Sequence, residues 1–289
     1  MDAATTSGEI APGLAQGQAR DLVVAVAHGL ASRHLANEPH LDTQGRANRM
    51  ASIAEVAPDI YRVNVELSGS PVTYSFFVIK DDQPTLVQTG FRRTFGESLE
   101  AIQRVLDPTT LRYIAIPHFE GDESGALNDF LEIAPQAQAL GSPIGVRTNL
   151  GDFAVREPMA VDEDTVLDLG RHRLRFLITP YVHQWDSMLA YDETSGTVFT
   201  SDVFIQPGPG PATTDRDLTD QMVAMYQMVG IFPSRAHLDA ALDKMETLGP
   251  RTLACHHGSV VTGQIPTYFK ALREGDVIGL TEWNPMRGG

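Results

Sequence analysis

Short apolar runs begin to alternate with polar breaks at about residue 50. IAEVAPDIYRVNVELS (from Ile53), TYSFFVIKDD and QPTLVQTG follow one another, separated by Pro, Gly and Asp, the residues that punctuate strands. FGESLEAIQRVLD then changes period, with Leu99, Ile102 and Leu106 on one side of a predicted helix. RYIAIP reads as a buried strand that stops at Pro117. A second helix is expected to start at Ser124, placing Leu127, Phe130 and Leu131 on one face. PIGVR, TVLDLG, HRLRFLITP, SMLAYDE and GTVFTSD are read as further strands. DLTDQMVAMYQMVGIF and RAHLDAALDKMETLG are read as helices, and TLACHHG as the last strand-to-loop junction. Strands in two batches, each followed by helices, predict an α/β layered sandwich. Ahead of this lies an arm and a helix-compatible stretch, DLVVAVAHGLASRHLA (residues 21–36). The expected division is therefore an N-terminal arm and helix over 1–50 and a domain over 51–289.

With 289 residues, 42% of them hydrophobic, the chain can bury a sizeable core. Its formal charge of −15, with no basic stripe, argues against nucleic acid or an anionic membrane as partner. Small anions are not excluded, because a bound metal inverts the local field. Cys255 is the single cysteine, so no intramolecular disulfide forms, in keeping with a reducing compartment. The first residues lack a basic segment followed by an apolar one, and the run Leu22–Ala27 is far too short to span a bilayer. A soluble, cytoplasmic protein is expected.

Composition says nothing of chemistry, but the strand ends do. Each of four places puts a metal-ligand type just past an apolar strand: His118-Phe119-Glu120-Gly121-Asp122, His183 after LITPYV, Asp202 after VFTS, and His257 after TLACH. In an extended loop, alternate residues point to one side, so His118, Glu120 and Asp122 can converge, and Gly121 lets the backbone bend. Three imidazoles and three carboxylates suffice for two metal ions sharing one bridging carboxylate. Taken singly, each has a bland reading: a solvated turn, a satisfied buried histidine, a helix cap. Their repetition at strand ends is what carries the joint reading. Cys255, ending an apolar strand, reads as a buried inert thiol. Ser187, Ser195 and Ser201 lack a Gly-x-Ser-x-Gly setting for a nucleophile.

PHFEGDESG, TPYVHQWDS, FTSDVF and ACHHGS resemble the ligand loops of the metallo-β-lactamase fold. The likeness covers about residues 53–265 and is strongest to the di-iron branch, the flavodiiron proteins and stand-alone oxygen-binding di-iron proteins. Zinc hydrolases of the fold generally carry His-x-His-x-Asp-His; the di-iron branch has Glu at the second ligand position, where Glu120 stands. The resemblance implies a four-layer αβ/βα sandwich, here with an N-terminal helical extension. It also implies His118, Glu120 and His183 on one metal, Asp122 and His257 on the other, and Asp202 between them. Two ions per chain are expected, iron first, with zinc and manganese as alternatives. The chain departs from the family at Glu123, where a His is usual, at Gln184-Trp185 after His183, and at Gln88, where an Asp is usual. Glu123 is left open between a further carboxylate ligand and a helical residue pointing away. His256 is left out, since neighbours in extended backbone point apart.

Two functions follow. The first is a di-iron protein that binds or activates O2 or NO. It would draw on an external reductase, since no flavodoxin domain is expected after the core and no Gly-rich dinucleotide fingerprint follows an early strand. The second is a metal-hydroxide hydrolase of a small ester, thioester, lactone or other electrophilic carbon. The expected partners are a diatomic gas or a small-molecule substrate, and the expected assembly is a homo-oligomer.

Overall fold

The computed structural model describes residues 51–279, and the helix expected over residues 21–36 lies outside them. Among the described residues, the strands form two seven-stranded sheets. The first keeps chain order: β1 (Ser52–Ala57), β2 (Ile60–Glu66), β3 (Thr73–Ile79), β4 (Thr85–Val87), β5 (Tyr113–Ala115), β6 (Gln138–Gly141) and β7 (Met159–Ala160). From β1 to β4 neighbours are antiparallel; from β4 to β7 they are parallel. The second sheet contains β8 (Val166–Asp168), β9 (Arg173–Ile178), β10 (Met188–Asp192), β11 (Thr197–Ser201), β12 (Thr213–Thr214), β13 (Thr252–Cys255) and β14 (Val260–Val261). Its spatial order is β12-β14-β13-β11-β10-β9-β8.

Parallel neighbours need crossover connections, and helices supply them. α1 (Phe95–Ile102) links β4 to β5, and α2 (Leu127–Ile133) links β5 to β6. α3 (Thr219–Val229) and α4 (Arg235–Thr247) lie between β11 and its parallel neighbour β13, and α5 (Ile265–Glu274) follows β14.

The period-two pattern of the strands sorts their side chains into three apolar layers. On β3, Phe76 and Val78 pack with Ile102, Leu127 and Phe130 of the first helical layer. Phe77 and Ile79, pointing the other way, join Phe199 and Ala254 between the sheets, with the Phe77 and Phe199 rings 5.3 Å apart. On the far side, Val198 and Leu253 pack against Met222, Tyr226, Leu242 and Phe269. Helices, sheet, sheet and helices therefore stack in the four-layer order that the resemblance implies. Burial of each large apolar side chain contributes roughly 1.5–3 kcal/mol.

One expectation is corrected and one element is added. PIGVR is no strand: Pro143–Gly145 is helical and runs on into a helical turn over Val146–Leu150. Ser142 Oγ caps it, accepting from the Gly145 N–H at 3.1 Å, and Pro143 at the first helical position is pre-set for a helix. The strand lies just before, as β6. α5 was not anticipated; its Tyr268, Phe269 and Leu272 form a narrow buried stripe.

Candidate metal centre

The loops after β5, β9, β11 and β13 carry the expected ligand residues, and they meet. His118 Nε2 lies 3.0 Å from Glu120 Oε2 and 3.5 Å from Asp202 Oδ2. His183 Nε2 lies 3.2 Å from the same Glu120 oxygen and 3.1 Å from the same Asp202 oxygen. A second cluster adjoins the first: Asp122 Oδ2 is 3.4 Å from His256 Nε2 and 3.8 Å from His257 Nε2. His257 Nε2 is 3.3 Å from Asp202 Oδ1. Asp202 thus reaches one cluster with each of its oxygens. Donor atoms of His118, Glu120, His183 and Asp202 all lie within 4.8 Å of one another, and so do those of Asp122, His256 and His257. The structure brings together all six residues singled out at the strand ends and adds His256.

Local structure explains the addition. β13 ends at Cys255 and Gly258 is left-handed, at φ 91°, so residues 256 and 257 are no longer in extended backbone and their rings need not point apart. His256 Nδ1 sits 2.5 Å from Ser75 O and His257 Nδ1 2.7 Å from Thr73 O. Both anchors are on β3, and both Nε2 atoms are turned toward Asp122. The buried Arg62 braces this turn, donating to Gly258 O (2.5 Å), Asn64 Oδ1 (2.7 Å) and Ser75 Oγ (2.8 Å). The doubled histidine before a glycine was the signal available in the sequence.

Glu123 is fully buried on the Nδ1 side of the His118 ring, 3.1 Å from that nitrogen, while Nε2 faces Glu120 and Asp202. Its Oε1 accepts from Gln88 Nε2 at 2.6 Å and from Ser201 Oγ. Two departures from the family pattern, Gln88 and Glu123, are therefore hydrogen-bonded to each other. A carboxylate on the rear nitrogen of a histidine fixes its tautomer and orientation. Asp202 is held from behind as well: Tyr226 Oη donates to its carbonyl at 2.6 Å.

The electrostatics of the clusters call for a cation. Hydrogen bonds from His118 and His183 hold Glu120 down at about 2. Burial would lower His183, but Asp202 and Glu120 outweigh it and carry it up to about 10. His118 is also raised against its burial, by Glu123, Glu120 and Asp202. Burial would raise Asp202, yet the surrounding imidazoles, His183 first, hold it far below the usual carboxylate range. Burial pushes Glu123 up to about 7, opposed by His118. Burial and the neighbouring His256 lower His257. The raised imidazoles face lowered carboxylates, a charge arrangement that suits a cation between them. Asp202 Oδ1 and His256 Nε2 are buried without a hydrogen-bond partner. Orphans of this kind cost about 1–3 kcal/mol each and fit coordination to an ion. Mixed imidazole and carboxylate donors suit iron or manganese, and also zinc.

Beside Glu120 opens a cavity of about 790 Å³, whose walls include Phe119, Ser124, Asn128, Phe153 and Gln184. Cys255 stands apart from this chemistry: burial pushes its thiol up to about 12, which makes it inert at neutral pH.

Two facing sheets between helices, with imidazoles and carboxylates gathered where strands end, define a metallo-β-lactamase-type domain. Residues 72–258 match the ODP family beta lactamase, and the chain belongs to that family. It is 29% identical over 198 residues to flavo-diiron protein FprA2 of Clostridium acetobutylicum, covering 66% of this chain and 50% of that protein. To diflavin flavoprotein A 1 of Synechocystis sp. it is 28% identical over 229 residues, covering 76% of this chain and 39% of the relative. The solved rubredoxin oxygen:oxidoreductase of Desulfovibrio gigas superposes with a TM-score of 0.70 at 22% identity, over 77% of this chain and 61% of that one, a likeness of fold. The chain spans half or less of the length of these curated relatives. No helix among the described residues is long and apolar enough to cross a membrane.

Proposed function

We propose that this domain is the di-iron unit of an oxidoreductase that binds and reduces O2 or NO with electrons from an external donor. The observation that carries the reading is Glu120: a carboxylate converges with His118, His183 and Asp202 where zinc hydrolases of the fold carry an imidazole. An additional anionic oxygen makes the donor set harder, which suits iron. In this reading His118, Glu120 and His183 hold one ion, Asp122 and His257 hold the other, and Asp202 bridges them. Bound there, a pair of ferrous ions would supply two electrons to the gas, and the external donor would supply any further electrons and restore the ferrous pair.

The chain's own residues set the conditions. Glu123 faces His118 Nδ1 across 3.1 Å and Ser201 Oγ hydrogen-bonds the same nitrogen at 3.3 Å, so that Nε2 keeps its direction. Thr73 O does the same for His257. Phe119 and Phe153, with rings 5.0 Å apart in an edge-on pair, line the cavity beside Glu120 together with Arg92, Asp129 and Glu132, an open approach of mixed polarity that a small gas can enter. The names of FprA2 and of the Desulfovibrio gigas oxidoreductase support redox chemistry over the hydrolytic alternative. The donor is proposed to be a separate reductase or small redox protein, and the assembly a homo-oligomer.

The test is metal analysis of the full chain purified from iron-supplemented cells, with optical spectra of the reduced form before and after O2 or NO. Two irons per chain and a gas-dependent spectral change are expected. Bound zinc, no spectral change and turnover of an ester or lactone would replace this reading with the hydrolytic one.

A further inference from the structure

We infer that His256 is a direct metal ligand on the Asp122 side of the centre, completing a set of two imidazoles and two carboxylates around each ion. The inference rests on the dinuclear reading above and adds a ligand to it. One cluster presents His118, His183, Glu120 and Asp202 Oδ2. Without His256 the other presents only His257, Asp122 and Asp202 Oδ1. His256 makes the two positions equivalent in kind.

The ring's surroundings favour this role. His256 is fully buried, and its Nδ1 faces the Ser75 carbonyl oxygen at 2.5 Å. A carbonyl only accepts, so the Nδ1 carries the hydrogen. In the neutral ring the lone pair is then on Nε2, which has no hydrogen-bond partner and lies 3.4 Å from Asp122 Oδ2. Lone pair and carboxylate oxygen repel in a buried setting unless a proton or a metal ion lies between them, and a metal ion is the partner that also serves His257 and Asp202 Oδ1 beside them. His257 is built the same way, with Nδ1 on Thr73 O and Nε2 toward Asp122 and Asp202. Thr73 and Ser75 are two apart on β3, where carbonyls point the same way. One strand thus aims both rings at one place. A hydrogen bond from the rear nitrogen to a carbonyl is also the usual support for a metal-bound imidazole. Glu123, which occupies the neighbouring space, is turned away to His118 Nδ1.

The test uses the full chain loaded with Mn(II), as wild type and as His256→Asn. The asparagine amide keeps a donor for Ser75 O and removes the atom that faces Asp122. Stoichiometry is read by elemental analysis after gel filtration, affinity by titration, and pairing by EPR, which separates exchange-coupled from isolated Mn(II). Wild type is expected to hold two coupled ions. His256→Asn is expected to keep one isolated ion and to lose affinity for the other by more than the roughly 10–100-fold that removing a supporting hydrogen bond costs. If wild type holds two coupled ions and the variant keeps both, coupled, within that range, His256 is not a ligand and the dinuclear reading stands. If wild type holds no coupled pair, the dinuclear reading fails and takes the inference with it. Should the variant not fold, as judged by circular dichroism, the Co(II)-loaded wild type decides. A hyperfine-shifted exchangeable imidazole N–H beyond those of His118, His183 and His257 supports the inference, and its absence overturns it.

Discussion

Removing a single oxygen from Tyr226 should weaken both the fold and the metal centre. Tyr226 is fully buried on α3. Its hydroxyl donates to Asp202 O at 2.6 Å and accepts from the Ile205 N–H at 3.1 Å. It stays neutral, because burial raises its pKa well above the ordinary tyrosine value. Tyr226→Phe keeps the ring and its packing on Phe232, 4.6 Å away, so little apolar contact is lost. What is lost is the partner of a carbonyl and of an N–H in the loop after β11. Leaving such a group buried and unpaired costs about 1–3 kcal/mol, and with relaxation of the loop the pair should cost roughly 3 kcal/mol. Urea unfolding of wild type and variant, with unchanged m, measures this directly. Metal titration should show weaker binding of both ions, because Asp202 faces both clusters through different oxygens. A stability change below about 0.5 kcal/mol, the range of a bland surface substitution, with unaltered metal affinity, would refute the reasoning.

Glu123→Gln should lower metal affinity roughly 10–100-fold in competition with a chromophoric chelator. The amide cannot match the carboxylate as an acceptor toward both His118 Nδ1 and the Gln88 and Ser201 donors, and unchanged affinity would remove Glu123 from the support of His118. Away from the centre, buried His172 bonds Asp192 at 3.0 Å. That bond lifts His172 above 6.5 despite its burial, and burial of Asp192 is outweighed by His172 and Ser195, which hold it below 3.8. The stability from His172 is full below pH 6.5 and is lost as pH rises through its raised value. That from Asp192 is present above pH 3.8 and is lost as pH falls through its lowered value. Wild type should therefore lose urea stability relative to His172→Asn, which donates without titrating, as pH rises above 6.5; a pH-independent difference rejects the pairing. Deleting residues 1–50 should leave metal stoichiometry intact, since the candidate ligands all lie within 118–257, and should change the assembly seen by light scattering; loss of metal from a folded truncation would contradict the proposed division.

Short apolar runs bounded by turn residues told from the sequence that β3 and β11 are strands, because a run of about four to eight strand-forming residues between Pro, Gly and Asp is a local signal. Past those strands, His118, Glu120, Asp122, His183, Asp202 and His257 were legible as a set because each follows an apolar run that must end at the sheet edge. PIGVR was misread because a short apolar run carries little periodicity, and the cap by Ser142 prevailed. The roles of His256 and Glu123 were out of reach for a different reason. Whether His256 faces a metal or the core depends on the Ser75 carbonyl, 181 residues away in the chain. Whether Glu123 faces Asp122 or the back of His118 depends on Gln88 and Ser201, 35 and 78 residues away. Sequence pattern determined which residues stand at the ends of strands. Only the packing of one sheet on the other decided which nitrogen of each ring points inward, because that choice is made by hydrogen-bond partners brought from distant parts of the chain.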